Sequence, residues 1–258
     1  MKMVVDIGNS NVVIGIHSNG VWKENWRIIT KSDEDSLPFY EIELRNRIFE
    51  SQIKTSDIDR IMLSSVVPKL RPTFETLLKS IFQVEVDLVG PQLYETLGFA
   101  VPRPYEIGTD LVANAYGAFT KYGEDCIVID FGTALTFTTV SKDGYVQGVS
   151  IAPGVKTAMR ALSSNTAQLP EIPLELPSSA LGKNTTHAIQ AGILWGYVGM
   201  VKEVISKIRS EVGDHYISLA TGGLSFIMKP LENMFYTIDK NLTVDGLLFM
   251  LNDLESKK

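Results

Sequence analysis

Short apolar runs broken by polar bends open the chain. Met3-Val4-Val5 reads as a strand that runs into Asp6-Ile7-Gly8-Asn9-Ser10-Asn11, and Val12-Val13-Ile14-Gly15-Ile16 reads as a second strand. Asn19-Gly20 signals a two-residue turn, since both residue types tolerate positive φ. Val21 to Ile29 continues as a third strand, with Trp22 and Trp26 as core or edge aromatics. The same signals return after Cys126. Ile127-Val128-Ile129 runs into Asp130-Phe131-Gly132-Thr133, Thr136 to Val140 is a β-branched and aromatic strand, and Asp143-Gly144 is another turn. The two Asp-x-Gly elements stand 124 residues apart, and so do Gly20 and Gly144. A strand, a polar bend, a strand and a turn repeating in one register predict an internal duplication of a hairpin-led lobe, each half about 120 residues long.

The remaining pattern alternates helix and strand. Glu41 to Ser51 and Thr73 to Ile81 have amphipathic spacing, and Arg60 to Val67 is a buried strand stopped by Pro68. Leu111 to Tyr122 reads as a helix with Gly123 as its stop, and Thr185 to Arg209 as a longer one. Tyr216 to Ala220 is a strand leading into Thr221-Gly222-Gly223, and Leu169 to Ser179 is a Pro-bearing loop. The alternation predicts an α/β protein of two lobes, 1–110 and 111–258. Gly192, Gly196 and Gly199 recur along the Thr185 to Arg209 helix. Glycine costs a helix stability, so three of them suggest that another backbone comes close, from a second copy or from within the chain.

Composition narrows the class. Hydrophobic residues make up 45% and charged residues 21%, as in ordinary globular proteins. A net charge of −6 with dispersed Lys and Arg argues against nucleic acid or an anionic membrane as partner, because either needs a concentrated basic patch. No apolar stretch is long enough to span a bilayer, and too few residues precede Asp6 for a signal peptide, so the cytoplasm is the expected location. The single cysteine, Cys126, lies in an apolar run and reads as a core residue. His17, His187 and His215 show no ligand spacing.

The polar bends carry the candidate chemistry. After Asp6, the glycine permits a tight turn, and the amides and side chains of Asn9, Ser10 and Asn11 can donate to phosphate oxygens. Asp6 could hold the hydrated Mg²⁺ of ATP. A single such bend would be an ordinary β-turn, but Asp130-Phe131-Gly132-Thr133 supplies a second, and Thr221-Gly222-Gly223 could pack on a flat adenosine. Neither a P-loop nor a dinucleotide fingerprint occurs. Asp110, in Glu106-Ile107-Gly108-Thr109-Asp110, could accept a proton from a substrate hydroxyl. The local pattern favours a helix N-cap there.

These stretches, taken in order, resemble type III pantothenate kinase along essentially the whole chain. The likeness rests on the Asp6 and Asp130 bends, Ser64-Ser65-Val66-Val67-Pro68, Pro104 to Asp110, Asn114-Ala115, Ile151-Ala152-Pro153-Gly154, Thr166-Ala167-Gln168-Leu169-Pro170, Gly182-Lys183-Asn184-Thr185 and Thr221-Gly222-Gly223. The resemblance implies an actin-like ATPase fold, with two duplicated ribonuclease-H-like lobes and a nucleotide cleft between them, as in acetate kinase, sugar kinases and Hsp70. It implies ATP-dependent phosphorylation of pantothenate, the first step to coenzyme A, by a homodimer. By similarity, Asp6, Ile7, Gly8, Asn9, Ser10, Asn11, Val12, Val13 and Thr133 bind ATP, and Asp110 is the general base. Gly108, Thr109, Asp110, Leu111 and Thr185 bind pantothenate, Thr185 from the other subunit. Asp130 holds a monovalent cation, K⁺ or NH₄⁺, and Mg²⁺ comes with ATP at Asp6 through water. The sequence departs from the family at Leu111, where Arg is usual, at Val101, where Tyr is usual, and at Leu135, where Thr is usual. Two other readings stay open on the residues: a weak or inactive nucleotide-binding homologue with a regulatory role, and a kinase of this fold for another hydroxyl.

Overall fold

The computed structural model of the chain describes residues 1–33, 35–165, 172–223 and 225–257. The stretch Thr166 to Pro170, and with it the start of the loop read from Leu169, lies outside the described residues. The chain forms two compact units, Met1–Lys121 with Asn241–Lys258, and Tyr122–Lys240.

The first unit is built on a five-stranded sheet of β1 (Lys2–Ile7), β2 (Asn11–Ser18), β3 (Val21–Ile29), β4 (Arg60–Ser65) and β5 (Val86–Leu88), in the order β3-β2-β1-β4-β5. β1 to β3 form an antiparallel meander, and β4 and β5 run parallel to β1. The parallel strands are reached through helices α1 (Ser36–Ser51) and α2 (Arg71–Phe82), as parallel crossovers require. α1 faces the sheet with Tyr40, Leu44 and Ile48, one per turn. They meet Met3, Val5, Ile7 and Phe74 in the core. α3 (Pro91–Leu97) and α4 (Thr109–Tyr122) follow.

The second unit repeats the plan with β6 (Cys126–Phe131), β7 (Ala134–Val140), β8 (Val146–Pro153), β9 (Ile217–Thr221) and β10 (Thr237–Ile238), in the order β10-β9-β6-β7-β8. Strand senses match the first sheet one for one. The expected duplication is therefore present in topology. Asp6 pairs with Val13 and Asp130 with Thr136, so the second bend is one residue shorter. The turn after β7 is longer, and the offset of 124 returns at Gly144. Gly20 and Gly144 adopt φ of 80° and 76°, which suits glycine.

α5 (Val155–Asn165) follows β8, and α6 (Thr185–Gln190) continues through a π-helical turn at Ala191–Trp195 into α7 (Gly196–Val212). The helix read over Thr185 to Arg209 is thus continuous but locally widened. Tyr197, Val201 and Ile205 of α7 pack on Ile127, Ile129 and Phe137.

The last helix, α8 (Leu242–Ser256), belongs to the first unit, where it covers β1 and β4. The contact-based division therefore differs from the sequence boundary at 110/111. α4 and α8 cross so closely that a Cβ on Gly246 would overlap the carbonyl of Ala113, and one on Gly117 would lie 2.7 Å from the Leu242 carbonyl. With α8 on one face and α1 and α2 on the other, β1 is buried on both sides, and Val4 is as inaccessible as its neighbours.

Candidate active site

The end of β1 presents Asp6 beside Ser64, its parallel neighbour on β4. Ser64 is fully buried, so its hydroxyl needs partners. Ser64 Oγ donates to Asp6 Oδ1 at 2.8 Å and lies 2.9 Å from Thr109 Oγ1. One hydroxyl thus ties the end of β1 to the start of α4. The bend beyond Asp6 closes by the Gly8 amide donating to the Asn11 carbonyl at 3.0 Å. Thr30, after β3, secures it further. Its hydroxyl donates to the Gly8 carbonyl at 2.7 Å and its amide to the Ser10 carbonyl at 3.1 Å. Ile7 and Val12 anchor the bend in the core, Val13 is half-buried, and Asn9 and Ser10 stand exposed at the tip.

Asp110 lies in the first turn of α4. The Val112 amide donates to the Gly108 carbonyl at 3.2 Å, so Gly108, not Asp110, is the residue from which the helix starts. The N-cap reading is corrected accordingly, although Asp110 Oδ1 does accept one otherwise free first-turn amide, that of Leu111 at 2.8 Å. Gly108 makes room for this carboxylate, since a Cβ there would stand 2.5 Å from Asp110 Oδ1 and 3.4 Å from Val66 Cγ1. Burial raises the Asp110 pKa, opposed by the amides of Leu111 and of Asp110 itself. Leu111 is buried and contributes an apolar wall.

In the second unit, Asp130 stands one residue before the end of β6 and pairs with Thr136 and Thr221. The Gly132 amide donates to the Ala134 carbonyl at 3.1 Å, the counterpart of the Gly8 bond. The Thr133 carbonyl accepts from the Gly154 amide at 3.0 Å and from Thr157 Oγ1 at 2.7 Å. That holds the Thr133 backbone while its side chain stays exposed. Gly222, at φ 88°, lies against this bend, where a Cβ would overlap Asp130 Oδ1 and stand 2.7 Å from the Phe131 nitrogen. Thr221-Gly222 therefore packs on the Asp130 carboxylate and shapes a space there that any side chain would fill.

Thr185 opens α6 and is exposed. Its helix is capped by Asn184, whose Oδ1 accepts the His187 amide at 2.8 Å. Gly182, Lys183 and Thr185 line an open cavity of about 630 Å³. The fold thus brings Asp6, Thr109, Asp110 and Gly108 together in one unit, Asp130, Thr133 and Gly222 together in the other, and sets Thr185 at the head of a separate helix. The role of Ser64 is not written in the sequence, where it is only a polar side chain ending the apolar run Ile61-Met62-Leu63. Thr30 and Thr157 carried no signal, because their value lies in carbonyls distant in sequence.

Among the described residues no three His, Cys, Asp or Glu converge as a metal cage. A single carboxylate at a strand end suits a divalent ion that arrives with phosphates and keeps its waters. The Asp130 carboxylate packs against the Gly222 backbone, where a side chain on Gly222 would displace it.

Two sheets of one order and sense, each led by an Asp-x-Gly bend, define an actin-like ATPase fold. The fold is shared with a Campylobacter jejuni protein of the Baf family of transcriptional activators, with TM-score 0.63, 17% identity, and 98% of this chain and 99% of that one covered. It is shared also with the activator of 2-hydroxyisocaproyl-CoA dehydratase from Clostridium difficile, solved with bound ADPNP, with TM-score 0.53, 11% identity and coverage of 99% and 95%. The chain belongs to the type III pantothenate kinase family, whose model matches residues 2–207. A relative from Treponema pallidum (strain Nichols), named type III pantothenate kinase, is 40% identical over 255 residues, 95% of this chain and 91% of the relative.

Proposed function

We propose that this chain transfers the γ-phosphoryl group of ATP to the terminal hydroxyl of pantothenate, the first step of coenzyme A biosynthesis. Within the family assignment, one observation carries the reading. A buried carboxylate, Asp110, sits beside the Ser64-centred link to Asp6, so a proton acceptor and a phosphate-side carboxylate belong to one rigid cluster. Phosphoryl transfer depends mainly on positioning and charge neutralisation, and a general base adds to these.

Asp6, Ile7, Gly8, Asn9, Ser10, Asn11, Val12 and Val13 form the ATP segment, joined by Thr133. A divalent metal accompanies ATP in this family; as Mg²⁺ it would neutralise phosphate charge, held by Asp6 through water. Asp130, seated against Gly222, holds K⁺ or NH₄⁺. Gly108, Thr109, Asp110 and Leu111 contact pantothenate, and Asp110 takes the proton of its attacking hydroxyl.

The enzyme works as a homodimer, with Thr185 reaching the partner's substrate. The supporting observation concerns Gly192, Gly196 and Gly199. All three are exposed, and a Cβ on any of them would meet nothing within 4 Å. They answer no packing need among the described residues, which supports the approach of a second copy. No helix among the described residues is long and apolar enough to cross a membrane. The proposed location is the cytoplasm.

The test is ADP release with pantothenate, with other alcohols and with none, for the wild type and Asp110→Asn. Asn keeps the shape and can still accept the Leu111 amide, but it cannot take a proton. Pantothenate-dependent release that falls about 10²–10⁴-fold in the variant, with ATP binding retained, is the expected result. Release independent of pantothenate, or an unimpaired variant, overturns the reading.

A further inference from the structure

Thr109, Ser64 and Asp6 form a chain of hydrogen bonds within the first unit. Ser64 pairs with Asp6 across β4 and β1 and is fully buried, so its hydroxyl must find its partners within the protein. A serine hydroxyl has one proton to give and lone pairs to accept with. That proton goes to Asp6 Oδ1 at 2.8 Å, because an ionised carboxylate only accepts. Ser64 Oγ also lies 2.9 Å from Thr109 Oγ1, a distance at which one of the two oxygens donates. Ser64 has no proton left, so the donor is Thr109. The chain therefore runs one way, from Thr109 to Ser64 to Asp6. Thr109 stands at the start of α4, one residue before Asp110, yet its side-chain proton is committed to the strand end that carries Asp6. Whatever contact Thr109 makes with pantothenate, its hydroxyl has no proton to contribute.

We propose that Thr109 and Ser64 are positioning residues for the nucleotide side of the site: they fix the Asp6 carboxylate for the hydrated Mg²⁺ of ATP, with Thr109 acting only through Ser64. The proposal rests on the reading of Asp6 as the carboxylate that serves this ion. The outer member of the chain matters for two reasons. A serine hydroxyl can turn between staggered rotamers, and a second bond arriving at its oxygen holds Ser64 in the one that meets Asp6. Donors in series also polarise one another, which strengthens the bond to the carboxylate. A carboxylate that works through water gains from such fixing, since its ordering is complete before the ligand arrives. No covalent step is involved, and both protons stay on their own oxygens.

Calorimetric binding of a non-hydrolysable ATP analogue, with Mg²⁺ and with EDTA, tests this without turnover. The ratio of the two affinities is the gain that passes through the ion. Thr109→Val keeps the branched shape and removes the hydroxyl. It should cut the Mg²⁺ gain about three- to tenfold, the worth of about one hydrogen bond, and leave the affinity in EDTA and the KM for pantothenate within a factor of about two. Thr109→Ser keeps the donor and should keep the gain. Ser64→Ala removes both bonds and should cut the gain at least as far as Thr109→Val. The double variant should lose no more than Ser64→Ala alone, because Thr109 has no other route to Asp6. Thermal melts check that each variant is folded, and if Ser64→Ala is not, the two Thr109 variants decide. An unchanged Mg²⁺ gain in folded Thr109→Val overturns the proposal. So does an additive loss in the double variant, an equal loss with and without Mg²⁺, or a loss confined to pantothenate. If Asp6→Asn loses the gain and Thr109→Val keeps it, only the roles of Thr109 and Ser64 fall. If the wild type gains nothing from Mg²⁺, the reading of Asp6 falls and takes them with it.

Discussion

Asp110 shows how one residue can satisfy two demands. Its carboxylate accepts the Leu111 amide in the first turn of α4, which favours the helix, and it is buried, which disfavours its charge. Burial wins, and the pKa lies above the ordinary carboxylate value. The consequence for pH has a definite sign. Only the ionised form can take a proton, so the acid limb of kcat/KM should fall at a pH above that of an exposed aspartate, about 3.9. A profile that stays flat down to that value would argue against Asp110 as base. Stability moves the other way. For a group whose folded pKa is raised, the stabilising contribution is complete below the unfolded pKa and is lost as pH rises through the folded one. At neutral pH the buried charge therefore burdens the fold. Asp110→Asn should melt no lower than wild type there, and a lower melting temperature would show that the charge itself stabilises.

At the scale of elements, the readable ones are helices with one buried face and strands bounded by turn signals. α1 carries Tyr40, Leu44 and Ile48 on a single stripe, and β1, β2, β3, β6 and β7 announce themselves by apolar runs between turn signals. β8 leaves little mark in the sequence because it lies at a sheet edge with mostly exposed residues and a glycine, Gly148, within it. α8 is hard to read for the opposite reason. Leu242, Val244, Leu247, Leu248, Met250 and Leu251 are buried around much of its circumference, and a helix covered on most sides loses the 3.6-residue period. Gly246, which looks like a helix breaker, is the position at which α4 makes its closest approach. Gly246→Ala would improve intrinsic helix propensity by about 1 kcal/mol. The overlap with the Ala113 carbonyl outweighs that gain, and overpacking of this kind costs about 1–3 kcal/mol or more. Urea unfolding should show net destabilisation, and a stabilised variant would mean that the crossing can open without cost.

At the scale of the molecule, assembly can be tested through the exposed glycines of the α6 to α7 helix. A Cβ at Gly196 meets nothing within 4 Å among the described residues, and Gly196→Glu replaces a poor helix former with a good one at an exposed position, so the monomer should fold as well as before. Light scattering at micromolar concentration should find a dimer for the wild type and a monomer for the variant, with unchanged helical circular dichroism. A variant that remains dimeric would place the interface elsewhere.

The duplication was legible in the chain alone, because a β-hairpin is a local structure: its strand, bend and turn are written within some twenty residues, and the two copies could be compared directly. The Asp6, Asp110 and Asp130 positions were legible for the same reason, each lying at the end of a strand or the start of a helix. Contacts between residues far apart in sequence were decided only by tertiary structure. They include the Ser64 hydroxyl that joins Asp6 to Thr109, the Gly222 backbone against Asp130, and the final helix returning to the first sheet. Each depends on which surfaces meet when apolar faces are buried, and a polar side chain in a strand or helix bears no local mark of the partner that burial will bring to it.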